Sequence, residues 1–92
     1  MMQLAPHATD ENVDAIVQGL HSLPALIPEI RTYSVGLDAG LVEGNFDLVV
    51  VGDFDDVDGY LAYNANADHQ ALLAERIKPF IAGRSAVQYI TE

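Results

Sequence analysis

The stretch Asn45–Phe54, NFDLVVVGDF, decides the fold. Residues Phe46–Phe54 read as a β-strand. Side chains alternate between the two faces of a strand, so Phe46, Leu48 and Val50 point one way while Val49 and Val51 point the other. Both faces are therefore apolar over the middle of the strand. A strand of this kind needs cover on two sides, and one layer of helices supplies only one of them.

Working outward, the preceding Asp38–Asn45 segment contains Gly40 and Gly44 and reads as a hairpin loop. Before it, Ile30–Leu37 reads as a second strand, with Tyr33, Val35 and Leu37 on one face and Thr32, Ser34 and Gly36 on the other. Further upstream, Thr9 or Asp10 offers a helix N-cap and Glu11 suits the first turn. Val13, Ile16, Val17, Leu20 and Leu23 then form one apolar helical face, with Asp14, Gln18 and His21 opposite. Pro24 and Pro28 are expected to stop this helix in a turn. Met1–Leu4 has room only for a very short strand, ended by Pro6.

Downstream, Asp55 or Asp56 is expected to cap a short helix carrying Val57, Tyr60 and Leu61. Asn64–Ala67 looks like a break. Asp68 then caps a second helical segment with Leu72, Leu73, Ile77, Phe80 and Ile81 inward. Pro79 is expected to kink it and Gly83 to serve as its C′ residue. Ser85–Thr91 reads as the last strand. The order is β-α-β-β-α-β, an α+β arrangement of ferredoxin-like type with an antiparallel sheet and a short first strand, filling one domain over residues 1–92. Its helices cover one face of the sheet. The other face, with Val49 and Val51, would be a large apolar patch on a monomer, and a second copy of the chain is the economical cover. A homodimer through the open sheet face is therefore expected.

Composition narrows the functional classes. Four basic against fourteen acidic residues give a net charge of −10. Such an acidic protein repels a phosphate backbone and an anionic bilayer, so neither nucleic acid nor membrane is expected as a partner. The longest apolar run, Leu48–Val51, is strand-sized, and Met1–Asp10 lacks the basic start and apolar run of a secretory signal. There is no cysteine, which excludes disulfides and a thiol nucleophile and fits a reducing cytoplasm. His7, His21 and His69 show no metal-ligand spacing, and no cofactor or metal is expected. The acids of Asp53–Gly59 imitate a calcium loop but place Val57 at the fifth position and Asn64 at the twelfth, so strand end and helix cap explain them better.

Several segments in this order and spacing resemble one family. They are Leu23–Ile30 (LPALIPEI), Tyr33–Gly36 (YSVG), Asn45–Phe54 and Tyr60–Leu72 (YLAYNANADHQAL), with the ending Arg76–Tyr89. Together they resemble the stress-responsive A/B barrel (Dabb) family, a dimeric ferredoxin-like fold in which two sheets close into an α+β barrel. Two departures stand out. Family members usually begin with a longer first strand carrying a His, which has no counterpart here. The family's His-Pro-x-His before the last helix is Asn66-Ala67-Asp68-His69 in this chain, so only the second His survives.

Some members are plant polyketide cyclases that close a β-keto chain by aldol chemistry, using the second His of the motif and a Tyr six residues earlier. The resemblance thus points to His69 and Tyr63 as candidate catalytic residues. A neutral imidazole is a competent general base, and a phenol can polarise a carbonyl. The plain structural alternative makes His69 a helix-start hydrogen-bonding residue and Tyr63 a core aromatic. Two functions follow. One is a stress-related or ligand-binding protein without catalysis, whose barrel is packed or holds a small hydrophobic carbonyl compound. The other is a cyclase, isomerase or lyase acting on such a compound. The broken motif and the short first strand favour the first.

Overall fold

The computed structural model describes residues 1–91. The elements run β1 (Met2–Leu4), α1 (Asp10–Leu26), β2 (Ile30–Leu37), β3 (Leu48–Phe54), α2 (Val57–Ala65), α3 (Ala67–Leu72) and β4 (Ile81–Arg84). The four strands form one antiparallel sheet in the order β2-β3-β1-β4, the ferredoxin-like arrangement expected from the element order.

Helix α1 begins in a reciprocal cap. The Asn12 amide donates to Thr9 Oγ1 at 3.2 Å, and the Thr9 amide donates to Asn12 Oδ1 at 2.9 Å. Two of the amides left over at a helix start are thereby satisfied, and Asp10 and Glu11 complement the positive end of the helix. Its Ile16, Leu20 and Leu23 are buried, and with Ile27, Ile30, Leu48, Leu72 and Ile77 they make the core. Pro24 does not stop the helix as its sequence position suggests. The helix continues to Leu26, because a proline in the final turn removes a single donor while the Ile27 amide still closes on the Leu23 carbonyl at 2.9 Å.

The β2–β3 ladder fixes what faces the helices. Tyr33↔Gly52, Val35↔Val50 and Leu37↔Leu48 pair on the inner face, and Ser34↔Val51 and Gly36↔Val49 on the outer. Leu48 is buried, whereas Val49 and Val51 are 40% and 53% exposed. The alternation legible in the sequence is thus realised, with one apolar row under α1 and another open. Strand β3 starts at Leu48, two residues later than its apolar pattern, because the Asp47 carboxylate accepts the Leu4 amide at 2.7 Å and holds the loop end against β1. In the intervening loop Gly40 and Gly44 adopt φ of 75° and 87°, a region that favours glycine.

The C-terminal third departs from the reading above. Asn66, not Asp68, caps α3, since Asn66 Oδ1 accepts the Asp68 and His69 amides. The helical path then widens over Leu73–Ile77 and tightens over Lys78–Phe80, where Pro79 cannot continue a regular ladder. The chain leaves this segment at Ile81, so Gly83 is a strand residue and not a helix cap. Strand β4 is Ile81–Arg84, paired as Leu4↔Ile81, Gln3↔Gly83 and Met2↔Arg84. Ser85–Thr91, expected as the last strand, forms no strand among the described residues, and only Ser85 keeps a backbone pair. The ladder stops where β1 stops: the Met1 ammonium donates to the Ser85 carbonyl at 2.7 Å and the Ser85 amide to the Met1 carbonyl at 2.9 Å.

Ile16 is fully buried beneath the sheet. Ile16→Ala should cost about 2–5 kcal/mol, as truncations of buried aliphatic residues do. Urea unfolding at fixed protein concentration checks this.

Candidate functional site

Asp56 caps α2 by accepting the Gly59 amide at 2.8 Å. The helix ends at Ala65, where the Asn66 amide donates to the Tyr63 carbonyl at 3.2 Å. Asn66 therefore closes one helix and opens the next. In an unbroken helix two residues six apart would project well away from each other. The break resets the chain direction and lays the His69 imidazole over the Tyr63 ring, with centroids 4.3 Å apart and planes at 28°. The break at Asn66, inside the Asn64–Ala67 segment, is what places the two side chains in contact.

A third residue completes the group. The Tyr33 and Tyr63 hydroxyls are 2.8 Å apart and hydrogen-bonded. Tyr33 reaches across because its strand partner is Gly52. A Cβ there would lie 3.2 Å from Tyr33 Cδ1, so the glycine leaves room for the ring to lie across the neighbouring strand. Phe54 packs on Tyr63 at 5.0 Å and on Tyr60 at 5.6 Å, in tilted and edge-on geometry suited to aromatic quadrupoles. That Tyr33 faces inward was legible in the strand alternation. Its contact with Tyr63 had no signal in the sequence, because it depends on how α2 lies across the sheet.

Burial dominates the electrostatics. His69 is 6% exposed. Desolvation lowers its pKa from the ordinary 6.5, against smaller upward effects of the backbone hydrogen bonds at Asn64 and Tyr63. His69 Nδ1 lies 3.3 Å from the Asn64 carbonyl oxygen. A carbonyl only accepts, so Nδ1 carries the proton in the neutral ring and Nε2 keeps the lone pair. Burial also raises the pKa of Tyr33 and Tyr63, and both remain phenols across the physiological range. The group thus offers a neutral imidazole base and a pair of coupled hydroxyl donors.

Two open depressions lie elsewhere. One, of about 310 Å³, is bounded by Glu29, Arg31, Asp55, Asp56, Asp58 and Gly59. There Arg31 binds Asp55 at 2.6 Å and its hydrogen bond holds that carboxyl below its ordinary range. The other, of about 570 Å³, is bounded by Met1, Leu37, Phe46, Leu48, Val49 and the polar loop around Asp38. Neither is lined by Tyr63 or His69. His7 and His21 are exposed, and His7 Nε2 meets the Pro79 carbonyl at 2.8 Å. Among the described residues no helix is long and apolar enough to cross a membrane.

Sheet order and helix placement together define a ferredoxin-like α+β domain. The chain belongs to the stress responsive A/B barrel domain family, Dabb, whose pattern it matches over residues 1–91. Among solved structures it is similar to a dimeric ferredoxin-like protein of unknown function from Thermobifida fusca. The two share 41% identity and a TM-score of 0.90, over 99% of this chain and 85% of that one. A dimeric protein of unknown function and ferredoxin-like fold from Bacteroides fragilis shares the fold at 22% identity and a TM-score of 0.79, over 96% of this chain and 87% of that one. No curated protein matches.

The depressed His69 pKa has a consequence for stability. The unfolded chain binds a proton near 6.5, and the folded chain binds it only at lower pH. Stability should therefore be full above the unfolded value and decline as pH falls below it. Between about pH 7 and about pH 5, wild-type unfolding free energy should fall more steeply than that of His69→Gln. Urea titrations of both proteins across that window measure the difference, and parallel slopes would show that His69 is not the group responsible.

Proposed function

We propose that this Dabb protein acts in the cytoplasm as a homodimer, two copies meeting through the outer faces of their sheets. It binds a small, partly apolar carbonyl compound without converting it. The dimer rests on the exposed row of Val49 and Val51 and on the dimeric state of the Thermobifida fusca relative. The absence of turnover rests on one observation: the Tyr63 hydroxyl is already engaged by Tyr33 while its ring is stacked on His69. A donor engaged by its neighbour and an imidazole covered by a ring are features of a packed interior. The roomier depression at Met1, Leu37, Phe46 and Val49 adjoins the open face and offers an apolar seat beside polar backbone.

One observation favours the second reading, a cyclase-like lyase or isomerase. His69 is neutral, its unprotonated Nε2 is available as a base, and two hydroxyl donors stand in the same cluster. In that mechanism His69 removes a proton next to a carbonyl and Tyr63 stabilises the developing oxyanion. The Tyr33–Tyr63 bond would have to open, or pass its remaining donor to the substrate.

One experiment tests the dimer and a second separates the two readings of the cluster. Val51 lies outside the core and is half exposed within the protomer, so Val51→Asp bears mainly on the open face. In native mass spectrometry the wild type should appear at about twice the 9.9 kDa of one chain, and Val51→Asp should appear as a monomer or fail to fold. A wild-type monomer at micromolar concentration contradicts the dimer. A panel of small polyketide-like acids, titrated into isotope-labelled protein, should shift Leu37, Phe46 and Val49 and yield no product. Shifts centred on His69, with product formation lost in His69→Ala, would instead establish the cyclase reading.

A further inference from the structure

Helix α2 is lightly anchored. None of its nine residues is buried, and Tyr63 is the one among them that packs against the core. Val57 and Leu61 are more than half exposed. A helix this short does not persist in water by itself, so α2 depends on what its side chains meet. The chain enters it through Asp56 at φ −155° and leaves it through Asn66 at ψ 135°, both outside the helical region. The caps divide between these ends. Asp56 accepts the Gly59 amide of α2, whereas Asn66 Oδ1 accepts the Asp68 and His69 amides of α3. The start of α3 is therefore secured without α2. What ties the two helices together is the Asn66 amide on the Tyr63 carbonyl, with Gln70 Nε2 and His69 Nδ1 on the Asn64 carbonyl.

The Tyr63 ring fills a seat whose walls belong to other elements. The His69 imidazole of α3 lies 4.3 Å away at 28°, the Phe54 ring of β3 lies at 5.0 Å, and the Tyr33 hydroxyl of β2 bonds the phenol at 2.8 Å. Gly52 sends no side chain between Tyr33 and Phe54. All three walls stay with the sheet and α3 when α2 moves. We propose that α2 is a gate that opens apart from the rest of the fold, and that Tyr63 is a plug in a binding seat for a small, uncharged hydroxyaromatic ring. The ligand class follows from the plug. A seat that takes one phenol ring, stacked on an imidazole, tilted to Phe54 and hydrogen-bonded at its hydroxyl, suits another of the same size. None of the walls carries a charge, because burial keeps Tyr33 a phenol and holds the His69 pKa below its ordinary value. A charged ring would lose its hydration there with no opposite charge in return. The seat is separate from the depression beside Phe46, so the gate and the ligand-binding reading above fail separately.

Amide hydrogen exchange of the intact protein, followed by NMR, tests this with p-cresol, the tyrosine side chain as a free molecule. Without it, residues 61–65 of α2 should exchange at least about tenfold faster than residues 16–23 of α1, because local opening needs less free energy than global unfolding. Added p-cresol should speed exchange in α2 and leave α1 unchanged, since it binds only where α2 has opened. Tyr63→Ala leaves the seat open and should bind p-cresol at least about tenfold more tightly than the wild type. The concentration that half-saturates this variant should about double the wild-type exchange rate of α2, the mass-action result for a ligand confined to the open state. Toluene, which lacks the hydroxyl, should bind Tyr63→Ala about fivefold more weakly, and adding Tyr33→Phe should remove that difference. The proposal is overturned if α2 exchanges no faster than α1, or if p-cresol speeds both helices equally or neither. It is overturned as well if a folded Tyr63→Ala has no affinity for p-cresol or binds toluene equally. If Tyr63→Ala does not fold, the two wild-type measurements decide.

Discussion

Every layer of this protein hangs on the two-sided apolarity of β3. Leu48 and Val50 turn inward, where Leu48 is fully enclosed with Ile16, Leu20 and Leu23 of α1. Val49 and Val51 turn outward to an uncovered face. Burial of apolar surface is the main favourable term in folding a chain of this size, and a small domain has little of it to spare. The helices satisfy one row of β3. The other row has no cover within the protomer, and that unmet requirement underlies the proposed association of two copies.

The same strand sets up the aromatic cluster. Gly52 comes two places after Val50 on the inner face, and its missing side chain is what lets Tyr33 lie across β3 toward α2. Asn66 then ends α2 and starts α3, turning His69 back onto Tyr63. A glycine in a strand and an asparagine between two helices are local features of low cost. Together they assemble Tyr33 of β2 with Tyr63 and His69 of the two consecutive helices α2 and α3. The result is a polar group in which Tyr33 and Tyr63 are half-buried and His69 is buried, tied together by the Tyr33–Tyr63 hydrogen bond and anchored by the contact of His69 Nδ1 with the Asn64 carbonyl.

The fold was largely legible in the sequence. The helical spacing of Ile16, Leu20 and Leu23, the alternation in β2 and the two-sided apolar run of β3 are strong local signals, and the structure follows all three. Boundaries set by tertiary contacts were not legible. Pro24 by its own chemistry suggests a stop, yet in the last turn it removes one donor while the Ile27 amide still closes on Leu23. Ser85–Thr91 has the composition of a strand, but a strand exists only beside a partner, and β1 provides none beyond Met1. The apolar run from Leu72 to Ile81 suits a helix through Phe80. The pairing of Leu4 with Ile81 claims the end of that run for the sheet. For the candidate site, the resemblance pointed to Tyr63 and His69, and the break between them was visible. Tyr33 was not, since no periodicity encodes which aromatic ring meets which across two layers.

The account is tested most directly at the outer row of β3. A sample mixing isotope-labelled and unlabelled copies allows NMR to detect contacts between protons on different molecules alone. The methyl groups of Val49 and Val51 should show such intermolecular contacts to apolar side chains of the other copy. If those methyls show contacts only within their own chain while the protein is folded, the open face is not the site where two copies meet, and the central claim fails.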